Sequence, residues 1–349
     1  MKKDALLFAL NAAKASLVGV DFIPILSHFC FVEEGMVYAY DDISAVLVEC
    51  DTGISGGIRG DVLLGLIQTC GEEITFSQKD AEVTITTNTG KVKVPVLDPA
   101  EFLFSMPEMP EKECRSWPIK EEFLEALRLC AETVGTDPRR PEYIGITCVF
   151  DQAQGFTLYS TDNLTISRYV LEPPKKGAQQ RLVLPKSTAM QILTLAKLQA
   201  EGGECELVLS KQFAVFTVGT EYGTITLVSK VLEFKDTNFE KVLAGATPAE
   251  GHFEIPEMFA QGVQQCGVLL TKDLEKKVRL TTKGKNLNLY VKTPFGESAS
   301  NFALDKKVPD AEVTVRADML ARVIPFCSQM AIGDNAILLH DEAYTHVIS

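Results

Sequence analysis

No stretch of the sequence reaches the about 18 to 20 consecutive apolar residues that a membrane-spanning helix needs, which excludes an integral α-helical membrane protein. The opening segment, MKKDALLFALNAAKASLVGVD, places two lysines before an apolar run, but Asp4, Asn11 and Lys14 interrupt it at helical spacing. It reads as an amphipathic helix rather than a secretory leader, and a cytoplasmic location is expected. Paired cysteines are lacking as well. The nine present, Cys30, Cys50, Cys70, Cys114, Cys130, Cys148, Cys205, Cys266 and Cys327, are odd in number, scattered and never spaced as CxxC. That excludes a disulfide framework or a cysteine zinc site and points to reduced thiols. In such a compartment the sequon Asn163-Leu164-Thr165 is a coincidence of sequence.

Catalytic signatures are missing. There is no GxxxxGK[ST], GxSxG, HExxH or strand–GxGxxG–helix pattern. GISGGIRG (Gly53 to Gly60) is rich in glycine but lacks the phosphate-loop lysine, and Tyr40-Asp41-Asp42 pairs its carboxylates on a turn. His28, His252, His340 and His346 show no ligand spacing, so neither a cofactor nor a metal is expected, and the chain reads as a non-enzyme. Base-reading devices are absent too: no Cys/His finger, no basic leucine zipper and no aromatic single-strand platform. Positive charge is also in deficit, 34 Lys and Arg against 47 Asp and Glu, a net −13. With a screening length of about 8 Å at physiological salt, this does not exclude a local basic face.

What is there is repetition. Residues 71–98, GEEITFSQKDAEVTITTNTGKVKVPVLD, and 203–230, GECELVLSKQFAVFTVGTEYGTITLVSK, align nearly position for position. Val83, Ile85, Val92, Val94 and Val96 alternate with the period of two of a half-buried strand, and Asn88 to Gly90 signals a hairpin. A third copy begins at Gly333 and is expected to stop after its second strand. A helical pattern precedes each copy, at residues 59–70, 185–200 and 316–330, and three more begin near Asp4, Lys120 and Pro256. Six helix-plus-strands units in three pairs make an α+β repeat architecture with domains expected at 1–114, 115–248 and 249–349, bounded by SMPEMPEKECRSW and LAGATPAEG. Each sheet needs a helical layer over its apolar face.

The helices and adjoining segments carry Lys2, Lys3, Lys14, Arg59, Lys120, Arg128, Arg139, Arg140, Lys186, Lys197, Arg316 and Arg322, while the acids concentrate in turns and linkers. As a set these cations point to loose, sequence-independent, salt-sensitive phosphate contact.

Several stretches together resemble the bacterial sliding clamp family, the beta subunit of DNA polymerase III. FIPILSHFCFVEEGMVYAYDDISAVLVEC is similar to its early Pro-Ile-Leu segment and strands. LYSTDNLTISRYVLEPP is similar to its second-domain Thr-Asp element, VSKVLEFKDTNFEKVL to its S-K-L…V-L segment, and KKVRLTT to its third-domain G-V-R-L strand. The resemblance spans nearly the whole chain in the right order. It implies the DNA clamp fold, with helices inside and antiparallel sheets outside, a head-to-tail homodimeric ring around duplex DNA, and a groove for short peptide motifs of DNA polymerase and a clamp loader. By position the groove wall would comprise Tyr143, Thr161, Asn163, Leu164, Thr165, Ile166, Thr237, Lys241 and Val242, and the subunit interface Lys93, Pro95, Leu269 and Leu270. Three departures accompany it: Asn163-Leu164-Thr165-Ile166 replaces G-H-R-L, the family's first strand is short or absent, and a terminal strand that helps complete the groove is expected to be missing. Pro95 removes a donor from the expected edge strand. The implied function is a processivity factor that encircles DNA. The alternative is a monomeric clamp-fold adaptor, of phage or mobile-element type, that binds proteins without encircling DNA.

Overall fold

The structure is a computed structural model that describes residues 1–19, 22–109, 114–137, 139, 143–151, 155–171, 180–232, 237–248, 250–270 and 276–349. The chain opens with α1 (Lys3–Ala13), whose Leu6, Ala9, Leu10 and Ala13 fall on one buried face at the helical period. Strands β1 (His28–Val32), β2 (Met36–Tyr40) and β3 (Ser44–Glu49) follow. Then β4 (Gly56–Arg59) runs into α2 (Gly60–Thr69) and a second set, β5 (Thr75–Lys79), β6 (Glu82–Thr87) and β7 (Gly90–Pro95). The pattern recurs as β8 (Arg115–Pro118), α3 (Glu121–Glu132), β9 (Gly145–Asp151), β10 (Gly155–Thr161) and β11 (Thr165–Leu171), then β12 (Gln180–Pro185), α4 (Lys186–Leu195), β13 (Cys205–Leu209), β14 (Phe213–Thr220) and β15 (Gly223–Lys230). A short α5 (Phe239–Ala246) precedes the third occurrence. That comprises β16 (Phe253–Glu254), α6 (Phe259–Val268), the long hairpin β17 (Lys277–Thr293) and β18 (Gly296–Arg316), α7 (Ala317–Val323), β19 (Gln329–Ile332), β20 (Ile337–His340) and β21 (Tyr344–Ile348).

The contacts divide the chain into two compact units. One holds residues 1–121 and 187–231, the other 122–186 and 232–349. The first contains an eight-stranded antiparallel sheet, β4-β1-β2-β3-β15-β14-β13-β8, and a three-stranded sheet, β5-β6-β7. The second contains the sheet β12-β9-β10-β11-β21-β20-β19-β16 and the hairpin β17–β18. Two seams explain why these units cut across the three sequence repeats. β3 pairs with β15, Ser44 opposite Ser229, and β11 pairs with β21, Thr165 opposite Ile348.

Two expectations need correction. The helical pattern over 316–330 ends at Val323 with one 3-10 turn, and residues 329–332 form β19. The third copy therefore has three strands, β19 to β21, and β21 takes the place on β11 that β15 takes on β3. The strand read as missing is present. The family's first strand is reduced here to a bridge between Lys2 and Glu73, extended by the Ile74 N–H donating to the Met1 carbonyl at 3.0 Å.

Helices cover one face of each sheet, α1 on β2 and β3 in the first unit and α7 on β18 and β21 in the second. The other face is covered by the chain segment that follows it. In the first unit Phe102 and Phe104 lie 5.8 and 5.4 Å from Tyr38, over Ala45, Leu47 and Val228. In the second, Phe239 stacks at 5.0 Å on Tyr159, over Ile166 and Val347. Tyr38 and Tyr159 are equivalent residues, each three before the aspartate of a hairpin turn. All nine cysteines are free, and six are fully buried. Among the described residues no helix is long and apolar enough to cross a membrane.

Candidate functional site

The β10–β11 turn is built by Asp162. Its Oδ1 accepts from the Leu164 N–H at 3.0 Å, the Thr165 N–H at 2.7 Å and the Thr165 hydroxyl at 2.9 Å. Asn163 between them has φ 76°, a left-handed conformation that asparagine tolerates better than most residues. Asp41 builds the β2–β3 turn in the same way, holding Ser44 N at 2.6 Å beside Asp42 at φ 72°. The turn leaves Leu164 47 % exposed and sends Ile166 into an apolar floor with Tyr159, Phe239, Leu243, Leu338 and Val347.

The opposite wall is α5. Asn238 caps it, its Oδ1 accepting from the Lys241 N–H at 3.0 Å. Phe239 and Leu243 point into the floor, and the next positions round, Lys241 and Val242, point out, Val242 51 % exposed. Glu240 fixes the helix to the sheet: Tyr159 donates its hydroxyl to Glu240 at 2.5 Å and Arg168 Nη1 lies 3.3 Å from the carboxylate. Burial, then Glu240, pushes the Tyr159 phenol above its ordinary range. Of the nine expected wall residues, Leu164, Asn163, Lys241 and Val242 are exposed on this side, Tyr143, Thr161 and Thr237 are half-buried, and Ile166 is floor. Thr165 is buried and lines a small cavity with Thr133 just after α3, Met319 of α7 and His346. The floor residues Tyr159, Phe239, Leu243, Leu338 and Val347 were not foreseen. The signals that could have found them are the Tyr38/Tyr159 equivalence and the Asn238 cap.

The helical cations are less available than the sequence implied. Arg59 grips Asp61 through Nε and Nη2 at 2.8 and 3.2 Å, and Arg316 grips Asp318 in the same way at 3.0 and 2.6 Å. Arg139 does likewise with Asp137 at 2.9 Å, and Arg322 lies 3.8 Å from Glu132. Arg128 stacks 4.2 Å above Phe326 and sits 3.7 Å from Glu125. Lys3 caps α2, donating to the Gln68 and Cys70 carbonyls at 2.8 Å each. Among the described residues Lys2, Lys14, Lys120, Lys186 and Lys197 form no ion pair; Arg140 lies outside the described residues.

Among the outer edges of the described sheets, which β4, β5, β8, β12, β16 and β17 also supply, two belong to the strands that match the seam strands. β7 pairs only with β6, apart from its extension, where Leu97 bridges Gly57. Its hydrogen-bonding direction follows from its neighbours: the Val96 N–H donates towards β6, to Ala81 at 2.9 Å, and the Leu97 N–H donates away from it, to Gly57 at 2.9 Å. Pro95, two residues before Leu97, therefore faces away from β6 with no N–H to offer. In the paired seams, strand N–H groups facing the same way donate across: that of Lys230 to Ile43 and that of Ser349 to Leu164, at 2.9 and 2.8 Å. Lys93 of β7 pairs in chain with Glu82 at 2.7 Å. Beside this edge an apolar cavity of about 190 Å³ is lined by Ile58, Val62, Val94, Pro95, Val96 and Leu97, with His28 and Arg59 at its polar end. The second open edge is the start of β18, residues 296–303. Leu269 packs on Gly296 there, Leu270 is buried, and Val268 and Phe295 are 81 % and 66 % exposed.

Among the described residues no group of three or more His, Cys, Asp or Glu side chains converges as a metal site would. Twice-paired repeats of helix and antiparallel sheet, fused through edge strands, define a clamp-type fold. No family model matches the chain and no curated protein matches it in sequence. Solved structures do match, over the full chain. DNA polymerase III subunit beta from Pseudomonas aeruginosa superposes with a TM-score of 0.86 at 15 % identity, covering 100 % of this chain and 98 % of that one. The DNA polymerase sliding clamp from Bacillus subtilis gives 0.86 at 12 %, covering 100 % and 97 %. The sliding clamp from Bartonella birtlesii, bound to griselimycin, gives 0.86 at 16 %, covering 100 % and 97 %. The chain has the fold of the bacterial DNA polymerase sliding clamps.

Proposed function

We propose that the chain is a DNA sliding clamp, a non-enzymatic processivity factor whose copies close head to tail around duplex DNA and tether a polymerase through the Leu164–Val242 groove. The observation that carries this reading is the pair of open edges. Two seams of one design, β3·β15 and β11·β21, are closed inside the chain. The third set of counterparts, β7 and residues 296–303 of β18, pairs with β6 and β17 on one side and is not joined to the other across a seam among the described residues. A head-to-tail contact between such edges closes a ring when the rotation fits, and the fold's likeness to clamps supports two copies. The lysines without ion pairs give loose, sliding phosphate contact, and the groove raises a polymerase's effective concentration at the primer end. A separate ATP-driven loader, engaging the same groove, is part of the reading, and the three sequence repeats act as three clamp domains.

The second reading, a monomeric clamp-fold adaptor, is favoured by Pro95 and by the ion-paired arginines. Light scattering behind size exclusion, over a concentration series at physiological salt, separates the two. A mass near twice 38.3 kDa is expected, together with retention on circular but not linearised DNA. A monomer at every concentration overturns the self-closing ring and leaves the adaptor.

A further inference from the structure

The segment that carries the α5 wall is fastened to its sheet at both ends. At the front the fastening is Glu240, described above. At the back, after α5 ends at Ala246, the chain reaches His252 just before β16, and His252 Nδ1 lies 3.0 Å from Nε2 of His340 at the end of β20. The rings are 5.1 Å apart, nearly perpendicular at 79°, and half-buried. Sequence spacing could not have shown the pair, since 88 residues separate its members.

We propose that His252 and His340 form a two-imidazole site for a late divalent transition metal of the Ni²⁺ or Cu²⁺ type. Metal–imidazole bonds of about 2.0 to 2.1 Å, with the nitrogens 3.0 Å apart, subtend an angle of about 91 to 97° at the metal. That is the cis angle of square-planar or octahedral coordination. The tetrahedral angle preferred by Zn²⁺ needs nitrogens about 3.3 Å apart, so the geometry selects against it. Without metal the same nitrogens share one proton as a hydrogen bond. On binding, that proton moves to the far nitrogen of its own ring, each facing nitrogen gives a lone pair, and no proton need be released at neutral pH. Water fills the remaining positions, since no third protein ligand converges there among the described residues. The ion would clasp the loop behind α5 to β20, stiffening the groove wall. This reading is independent of whether the ring closes.

The test uses the full chain and Ni²⁺ alone. In equilibrium dialysis followed by metal analysis, the wild type is expected to hold one equivalent more than His340→Gln or His252→Gln. Its thermal midpoint is expected to rise with Ni²⁺ while theirs does not. Equal uptake by all three proteins overturns the site, as does no uptake by the wild type. A readout that needs no variant is the proton spectrum of the wild type. Paramagnetic Ni²⁺ should broaden the ring resonances of His252 and His340 before that of the buried His346, and uniform or absent broadening overturns the site as well.

Discussion

His346 occupies a position where the first unit is apolar. Across the β11·β21 seam it stands opposite Ser167, whereas the matching residues of the β3·β15 seam are Val46 and Leu227. Ser167 Oγ lies 2.8 Å from its Nδ1 and 2.9 Å from the Tyr344 hydroxyl, so one ring nitrogen is satisfied. The other, Nε2, has no hydrogen-bond partner among the described residues, and His346 lines a cavity of about 20 Å³, the room of one water. His346 is 1 % exposed, and burial pulls its ring from the ordinary 6.5 down to about 3. Between those values the unfolded chain binds a proton that the folded chain rejects, so stability falls as pH drops below about 6.5. The slope is about 1.4 kcal/mol per pH unit, about 2 kcal/mol lost at pH 5. Replacing the pair by its counterpart, Ser167→Val with His346→Leu, is expected to remove that loss. Urea midpoints at pH 7.5 and pH 5 measure it, and an unchanged pH dependence in the double variant would show that His346 is not the group responsible. The change strands the Tyr344 hydroxyl, but that cost is the same at both pH values and cancels.

At the scale of elements, the proposed ring makes the edge strand β7 the place where copies would meet. The seams inside the chain are held by strand N–H groups such as those of Lys230 and Ser349, and Pro95 has no N–H to offer in the same direction. A net hydrogen bond contributes about 0.5 to 1.5 kcal/mol, so Pro95→Val, after Val228 at the matching place in β15, should tighten self-association about two- to tenfold if β7 is the contacting edge. Sedimentation or light scattering reads this directly, and an unchanged association constant would mean that β7 is not the contacting edge. Elements of this kind were legible where periodicity and length agreed. α1, α2, α3, α4 and α6 lie within the helical patterns; of the five alternating apolar residues Val83, Ile85, Val94 and Val96 are buried as read, while Val92 is 40 % exposed. β19 was misread because Met330, Ala331 and Ile332 are all buried, so no alternation marks them, and methionine and alanine also favour helices. α5 was not foreseen because eight residues give barely two turns of pattern, and its stability comes from Phe239 and Leu243 packing on strands distant in sequence. The wall residues came from the family resemblance alone, and the floor was not in it. The turn is fixed by Asp162 and its neighbours, the floor by side chains drawn from β10, β11, α5, β20 and β21.

At the scale of the whole molecule, the proposed clamp would hold DNA as firmly as its charge allows. The sequence showed twelve cations in helical segments but could not show that an aspartate two residues on neutralises two of them. Arg59-Gly60-Asp61 and Arg316-Ala317-Asp318 are the same device, a strand-end arginine folded back on the first turn of the following helix. The matching place before α4 reads Pro185-Lys186-Ser187, with neither partner, and Lys186 there is in no ion pair among the described residues. Where the ion pair forms, the guanidinium depresses the carboxyl of Asp61 and of Asp318 below the usual range. Both acids therefore stay charged at neutral pH and keep competing with phosphate for the arginines. A chain of net −13 held this way should slide freely and release with modest salt. Converting Asp61 and Asp318 to Asn removes the competing charges and keeps side-chain acceptors beside the helix N-termini. If α2 and α7 face the duplex, two more phosphate contacts per chain become available, and the slope of log affinity against log salt should steepen by about 0.9 for each. Salt titrations of duplex binding by the wild type and the double variant measure that difference. A slope unchanged by the double substitution would place these helix starts away from DNA and move the phosphate contact to the lysines alone.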